Sequence, residues 1–250
     1  MSVLAVRDLC KAFGGVRAVE RVSFSVAAGE LLAMIGPNGA GKTTCFNLIN
    51  GQLRPDAGEI YFEKKKIQGL APPERCRLGI GRTFQVAATF GSMTVRENVQ
   101  VARLSHERKL GSLLSSLNES PEGKEKSLLE QVGMDALADK QCAELAYGDL
   151  KRVELAVALA TRPRLLLMDE PTAGMASAER GELMQLVSEI AHRENIAVLF
   201  IEHDMDVVFR HADRVIVLAD GELIAQGTPA EVRADARVRR VYLGEEAAHA

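Results

Sequence analysis

The chain has no tryptophan, and aromatic residues make up only 4% of its 250 residues. Its core must therefore be packed mainly from aliphatic side chains, which a hydrophobic content of 47% can supply. A surplus of positive charge is also missing, because 31 basic residues stand against 34 acidic ones and the net charge is −3. General nucleic-acid-binding proteins normally carry a basic surplus, so we expect no nucleic acid among the partners of this chain.

Cysteines and long apolar runs are scarce as well. The four cysteines are scattered and form no CxxC pair, a pattern typical of reduced thiols rather than of a disulfide framework or a zinc site. No apolar run approaches the roughly 20 residues that a membrane-spanning helix needs. The N-terminal stretch carries an acid and a base inside its short apolar part, so we expect no signal peptide. Any membrane role is then expected to be peripheral, through a partner.

Strand and helix patterns alternate along the chain. In the first third Val22, Phe24 and Val26 alternate with polar residues, as in a strand with one buried face. From about residue 86 to 143 the pattern is helical, with Thr94 as a predicted N-cap. The last third alternates short apolar strands with helices. We predict one α/β domain with a largely parallel sheet, a core of 1–85 and 164–250, and a helical insertion over about 86–163.

The segment GPNGAGKTT, residues 36–44, matches the phosphate-loop pattern G-x-x-x-x-G-K-[ST]. It lies between the apolar run ELLAMI, expected to be a buried strand, and CFNLIN, expected to be helical. In such a loop the backbone N–H groups surround phosphate oxygens, Lys42 reaches the β- and γ-phosphates, and the hydroxyl of Thr43 binds Mg²⁺. The residues predicted to bind nucleotide here are Gly36, Pro37, Asn38, Gly39, Ala40, Gly41, Lys42, Thr43 and Thr44.

Four further polar residues stand at or after the ends of predicted strands. Asp169 ends the apolar run RLLLMD, where a carboxylate can hold Mg²⁺, and Glu170 beside it can polarise the attacking water. His203 follows the run AVLFI and is predicted to contact the γ-phosphate. Gln85, in GRTFQ, stands where the helical insertion begins and can sense the metal or the water.

Together and in this order, GPNGAGKTT, TFQ, LAYGD, LLLMDEPT and IEHD resemble the nucleotide-binding subunit of ATP-binding-cassette (ABC) transporters over essentially the whole chain. The resemblance implies an ABC-type P-loop NTPase core with an N-terminal antiparallel β portion, ATP and Mg²⁺ as cofactors, and ATP hydrolysis. It also implies that Phe13 stacks on the adenine ring. By the same resemblance, residues 36–44 form the Walker A loop, and Lys42 within it acts in catalysis. Gln85 is the Q-loop glutamine and contacts the metal, and Asp169 is the Walker B metal ligand. Glu170 is the catalytic glutamate, and His203 is the switch histidine.

The stretch LAYGD matches the family signature LSGGQ. The resemblance implies that this turn, and a helix that we expect from about Leu150, contact the ATP bound by the other subunit of a head-to-tail dimer. Ala146, Tyr147, Gly148 and Asp149 are therefore predicted to bind nucleotide across the dimer. Three of them depart from the pattern, since alanine replaces serine, tyrosine replaces the first glycine, and aspartate replaces glutamine.

Further departures and similarities refine the family. Ala176 stands where the D-loop normally has an acid or asparagine, which suggests unequal ATP sites in a pair with a different ATPase chain. The A-Y-G signature, MTVRENV and VRRVYLGE resemble the branched-chain amino acid importers. The resemblance implies a peripheral position on the cytoplasmic face of the plasma membrane, with permease subunits docking beside Gln85 along about 86–98. It also implies a second cassette chain, identical or different, and indirectly a solute-binding protein.

Four alternatives stay open on the sequence. The chain could serve an importer of urea or short amides, or the lipopolysaccharide exporter, whose ATPase shares a YG signature. A soluble ABC ATPase of DNA repair or translation would need a long coiled-coil insertion or a second cassette. A non-hydrolysing regulatory module would have no need for the combination of Lys42, Asp169, Glu170 and His203.

Overall fold

The computed structural model describes residues 2–83, 89–107 and 122–248. Within these ranges, none of the helices has both the length and the apolar character needed to cross a membrane. The strands are β1 (Ser2–Phe13), β2 (Val16–Ala27), β3 (Leu31–Ile35), β4 (Ala57–Phe62), β5 (Lys65–Lys66), β6 (Ile80–Arg82), β7 (Leu165–Asp169), β8 (Ala197–Ile201), β9 (Arg214–Ala219) and β10 (Glu222–Gly227). The α-helices are α1 (Lys42–Asn50), α2 (Pro72–Leu78), α3 (Val95–His106), α4 (Glu122–Gln131), α5 (Tyr147–Ala160), α6 (Ser177–Glu194), α7 (Met205–His211), α8 (Pro229–Ala234) and α9 (Ala236–Ala248).

The strands form two sheets. One has the order β2-β1-β4-β5 and is antiparallel. The other has the order β10-β9-β3-β8-β7-β6 and is parallel except for β10, which pairs antiparallel with β9. This arrangement confirms the predicted α/β class, the mixed but largely parallel sheet and the N-terminal antiparallel portion.

The central strands β3, β7 and β8 are buried at every position. Side chains of β3 alternate between two cores. Leu32 and Met34 pack with α1 and the antiparallel sheet, whereas Leu31, Ala33 and Ile35 pack with helices α3 to α6. A strand covered on both faces needs apolar residues throughout, and this explains why ELLAMI reads as a continuous apolar run.

Helix α3 begins where the sequence predicted it. The hydroxyl of Thr94 accepts a hydrogen bond from the N–H of Glu97 at 3.2 Å, and the Glu97 carboxylate accepts one from the N–H of Thr94 at 2.7 Å. This reciprocal pair is a capping box. Helices α3 and α4 are further joined by a buried ion pair, with 2.7 Å between Arg103 Nε and Glu125 Oε1. The exact extent of the helical insertion, 86–163, stays a prediction.

Helix α5 begins three residues before the position expected from the sequence. Ala146 is its N-cap, with extended backbone (φ −64°, ψ 155°), and Tyr147 is the first helical residue. The N–H of Leu150 donates to the carbonyl oxygen of Ala146 at 3.0 Å, which closes the first turn. The tyrosine, Gly148 and Asp149 therefore belong to the helix, where an acidic residue in the first turn interacts favourably with the helix dipole.

Candidate functional site

Parallel strand pairing brings the phosphate loop, Asp169, Glu170 and His203 to one edge of the large sheet. Strand β8 lies between β3 and β7, and Ile201 of β8 is aligned with both Met34 and Asp169. The phosphate loop follows β3, Asp169 ends β7 with Glu170 directly after it, and His203 follows β8. The carboxyl ends of adjacent parallel strands open onto a shared crevice, which is where ligands bind in open α/β sheets.

The phosphate loop has a backbone that only glycine accommodates at its tightest points. Gly41, the N-cap of α1, has a φ of +97°, and a Cβ there would lie 2.1 Å from the carbonyl oxygen of Ala18. A Cβ on Gly36 would lie 2.1 Å from the carbonyl oxygen of Leu218. Gly41 provides no side-chain cap for α1, and a helix N-terminus of this kind can bind phosphate through the N–H groups of its first turn.

Lys42 is folded over this loop. Its side chain is buried, and Nζ donates hydrogen bonds to the carbonyl oxygens of Gly36 at 2.6 Å and Pro37 at 2.9 Å. These bonds hold the ammonium group on the loop that is expected to receive phosphates. A bound triphosphate would offer charged oxygens in exchange, and hydrogen bonds between charged partners are the stronger ones.

A cavity of about 210 Å³ opens at the loop. It joins the loop to the ends of β7 and β8, as the sequence predicted. Ala18, on β2, also borders it, and sequence reasoning did not single this residue out. The residues around the cavity are Ala18, Asn38, Gly39, Ala40, Gly41, Lys42, Thr43, Thr44, Glu170 and His203.

Glu170 and His203 are in direct contact. The distance between His203 Nε2 and Glu170 Oε1 is 3.1 Å. Glu170 has a φ of +50°, a left-handed conformation that costs a non-glycine residue roughly 1–2 kcal/mol. Its N–H donates to the carbonyl oxygen of Ile201 at 2.9 Å, which holds the residue in this conformation. Backbone strain of this kind is concentrated at functional sites.

Asp169 is only 8% exposed, and Arg82 approaches it from the end of β6. The distance between Arg82 Nη2 and Asp169 Oδ2 is 3.3 Å. Burial raises the pKa of the Asp169 carboxyl group above its ordinary value, and the guanidinium group acts in the opposite direction. Arg82 also donates to the side chains of Asn47 at 3.1 Å and Gln52 at 2.9 Å. The sequence offered one signal for Arg82, a basic residue in GRTFQ, which was not used.

The oxygen groups of Asp169 and Thr43 fit a magnesium ion that binds jointly to the protein and to a nucleotide. The described residues contain no group of three or more His, Cys, Asp or Glu that could hold a metal by themselves. Mg²⁺ usually binds through one or two carboxylates, with phosphate oxygens and water completing its octahedron. Asp169 and the hydroxyl of Thr43, which borders the cavity, match that chemistry.

Glu202 is a second residue that sequence reasoning missed. Its carboxylate is 4% exposed and accepts hydrogen bonds from the N–H of Thr172 at 2.9 Å, the Thr172 hydroxyl at 2.7 Å and the N–H of His203 at 3.2 Å. It therefore fixes the turn after Glu170 against the backbone of the histidine. An acid directly after the buried run AVLFI was the available signal, because a buried carboxylate needs such partners.

Other predicted residues lie elsewhere. Phe13, at the end of β1, is 48% exposed and does not border the cavity, and Lys11 Nζ is 5.5 Å from its ring centroid. Residues 146–149 do not border the cavity either, in the part of the chain that the structure describes. Gln85 lies outside the described residues. One chain thus carries the phosphate loop, the acids and the histidine in one place and the signature turn in another.

Two family models match the chain. The model described as ABC transporter matches residues 19–173, and the model described as branched-chain amino acid ATP-binding cassette transporter matches residues 222–248. The second match covers β10, α8 and α9.

Individual proteins match over almost the full length. The chain is 39% identical to the high-affinity branched-chain amino acid transport ATP-binding protein LivG of Salmonella typhimurium, over 97% of this chain and 98% of that protein. It is 34% identical to the crystal structure of an ATP-binding cassette of an ABC transporter in its ADP conformation, with a TM-score of 0.85 and coverage of 98% and 99%. A dimeric bacterial ABC transporter cassette is 27% identical, with a TM-score of 0.76 and coverage of 90% and 98%.

Proposed function

Because this chain belongs to the ABC transporter family, we propose that it is the ATP-hydrolysing subunit that energises an importer of branched-chain amino acids. The contact between Glu170 and His203 at the mouth of the phosphate loop carries the proposal for hydrolysis. The full-length similarity to LivG of Salmonella typhimurium carries the proposal for the solute class.

In this function the phosphates of ATP occupy the loop 36–44. Lys42 exchanges the carbonyl oxygens of Gly36 and Pro37 for β- and γ-phosphate oxygens. Thr43, Asp169 and Gln85 would hold the magnesium ion, which would supply positive charge to neutralise the phosphates. Phe13 stacks on the adenine ring at the exposed end of β1.

Glu170 orients the attacking water and accepts its proton. The water oxygen bonds to the γ-phosphorus while the bond to the oxygen of the β-phosphate breaks, so ADP and inorganic phosphate leave. His203 holds the Glu170 carboxylate through Nε2, and its imidazole lies where it can contact the γ-phosphate. General-base assistance of this kind contributes about 10²- to 10⁴-fold to the rate.

The signature turn serves a second chain. Ala146 provides no side-chain cap, so the first-turn N–H groups of α5 are left for the phosphate of an ATP held by the other subunit. ATP binding then favours the closed dimer, and hydrolysis favours its opening. The second chain is either a copy of this one or a different cassette. Ala176 favours a different one, because it lacks the side chain that couples the two sites.

Membrane subunits complete the importer. We place their docking surface along 86–98, where Phe90 is 58% exposed directly before helix α3. A solute-binding protein outside the membrane delivers the amino acid, and this chain acts at the cytoplasmic face of the plasma membrane without crossing it.

Uptake measurements test the solute class. Cells deleted for the gene of this chain are complemented with the wild-type protein or with Lys42→Met, and uptake of labelled leucine, isoleucine, valine and urea is followed. We expect the wild type, and not the variant, to restore uptake of the three amino acids. Restored uptake of urea alone would move the assignment to short amides. No restoration of any uptake would contradict an import function.

Co-purification tests the partners. The tagged Glu170→Gln chain is recovered from native membranes with ATP and Mg²⁺, and its partners are identified by mass spectrometry. We expect two polytopic permease subunits and a second cassette chain. Recovery of an exporter-type membrane pair with this chain alone would favour lipopolysaccharide export and a homodimer.

A further inference from the structure

The tyrosine of the signature contacts the loop that follows the acidic strand end. The Tyr147 hydroxyl donates a hydrogen bond to the carbonyl oxygen of Ala173 at 3.1 Å. The edge of its ring lies over Gly174, where an added Cβ would be 3.3 Å from Cε1 and 3.6 Å from Cζ. Gly174 has a φ of +80°, so the backbone of this loop also favours glycine. The side chain thus reaches from the start of α5 to Ala173 and Gly174, in the loop formed by residues 173–176.

Neighbouring residues strengthen the same junction. Gly148 lies close to Glu179 on the first turn of α6, since a Cβ added to the glycine would be 3.3 Å from the Glu179 carboxyl carbon. Further along α5, Arg152 Nη2 lies 3.3 Å from Glu182 Oε2. The start of α5 and the start of α6, which directly follows loop 173–176, therefore pack side by side.

The loop is also fixed on its other sides. Arg180 donates through Nε to the carbonyl oxygen of Met175 at 2.9 Å and pairs through Nη1 with Asp204 at 2.8 Å. Before the loop, Thr172 is bound by Glu202. Residues 173–176 thus connect the turn at the strand end with the signature turn, and Tyr147 is the contact that closes this connection.

Two of the departures from the family pattern, Tyr147 and Ala176, belong to this junction. A glycine in place of Tyr147 has no side chain that could reach Ala173, and Ala176 has no polar side chain of its own. The tyrosine supplies a hydroxyl and a flat ring from the helix side. Its ring stays 43% exposed, so the contact is made at the surface that the signature turn presents.

We propose that Tyr147 is a positioning residue that locks loop 173–176 to the N-terminus of α5, so that the chain offers both to a second cassette chain as one preformed surface. This inference rests on the proposed function, since the second chain and its ATP are the ligands of that surface. Preorganisation of this kind lowers the ordering cost of association.

Dimer formation is the measurement. In a Glu170→Gln background, which is expected to keep ATP bound, the ATP-dependent monomer–dimer equilibrium is followed by analytical ultracentrifugation. We expect Tyr147→Phe to weaken dimerisation about 2- to 10-fold, as the loss of one hydrogen bond predicts. Tyr147→Gly should weaken it further because the ring contact is lost as well. The conservative phenylalanine therefore rescues part of the loss.

A double-mutant cycle tests the contact itself. Gly174→Ala forces a methyl group against the ring, so we expect it to weaken dimerisation more in the Tyr147 parent than in the Tyr147→Gly background. The matched control is Tyr61→Phe on β4, which removes a hydroxyl bound to Glu59 at 2.9 Å. We expect this control to leave dimerisation unchanged.

The outcomes separate the two proposals. A Glu170→Gln parent that stays monomeric with ATP, both alone and when mixed with the second cassette chain recovered by co-purification, would overturn the two-chain function, and this inference with it. A parent that dimerises, with Tyr147→Phe equal to it and no coupling to Gly174, overturns the inference alone. Affinity of each monomeric variant for a fluorescent ATP analogue is measured in parallel. If a variant loses as much affinity for the ATP analogue as it loses in dimerisation, a positioning role is overturned, because such a loss indicates general damage to the fold.

Discussion

The phosphate-loop edge and the signature turn are both predicted to face ATP, yet they are built differently. At the edge, three fully buried strands converge, Lys42 is held by loop carbonyl oxygens, and Glu170 touches His203. At the signature turn, an uncapped helix begins among exposed residues and is held by single contacts to loop 173–176 and α6. The edge is a preassembled site. In the proposed function the turn is half of a site, and the ATP bound by a second chain completes it.

This difference predicts where substitutions act. Changes at the edge should alter nucleotide binding and hydrolysis by each chain, because all contributing groups belong to that chain. Changes at the turn should act on the assembly of two chains and leave the isolated chain nearly unaffected.

Replacement of Glu170 by glutamine should have the largest effect. The amide keeps the shape but cannot accept the proton, so we expect kcat to fall by about 10²- to 10⁴-fold while ATP binding persists. The rate of phosphate release by the purified protein measures kcat. The matched control is Glu189→Gln on the exposed face of α6, where hydrolysis should remain at the wild-type rate. Undiminished hydrolysis in Glu170→Gln would remove the assignment of this residue as the base.

Replacement of Lys42 by methionine should lower ATP affinity by about 10- to 100-fold. Methionine keeps much of the length but loses the charge, and a hydrogen bond to a charged group is worth about 1.5–3 kcal/mol. Titration with a fluorescent ATP analogue gives the affinity. Lys66→Met serves as the control, because Lys66 lies on β5 and pairs with Glu59 at 2.7 Å. Equal affinity of both variants would argue against phosphate contact by Lys42.

Replacement of Glu202 by glutamine should reduce kcat by about 10-fold with little change in KM. The amide has a single acceptor oxygen, so one of the bonds to Thr172 and His203 is lost, at about 1–1.5 kcal/mol. Steady-state kinetics separate the two parameters. Thr172→Ser keeps the hydroxyl and should stay near wild type, whereas Thr172→Val should resemble Glu202→Gln. A rise in KM with constant kcat would contradict a role in aligning Glu170 and His203.

Replacement of Arg152 by alanine should have the smallest effect. Its ion pair with Glu182 and its hydrogen bond to the carbonyl oxygen of Val132, each at 3.3 Å, lie near the surface, and surface ion pairs contribute about 0–1 kcal/mol to the free energy of unfolding. Urea denaturation at low and high salt measures this contribution, which should shrink as salt is added. A loss above about 2 kcal/mol would mean that the signature helix depends on this pair, and the contrast between the two regions would weaken.

Much of the edge was predictable because its signals are local. The phosphate loop is a contiguous pattern, and Asp169, Glu170 and His203 each stand directly after an apolar run. Strand–helix alternation then predicts a parallel sheet, and parallel strands bring those ends together. The helix N-cap at Thr94 was equally predictable, because Thr94 and its capping partner Glu97 are three positions apart.

The α/β class, the phosphate loop and the strand-end acids and histidine can be predicted from the sequence alone, because each depends on neighbours within a few residues. The contacts that hold these groups depend instead on how the folded chain packs. Arg82 meets Asp169 across 87 positions, Glu202 meets Thr172 across 30, and Tyr147 meets Ala173 across 26. No periodic pattern encodes such pairs. They arise when buried strands and helices pack and bring distant polar groups within hydrogen-bonding distance.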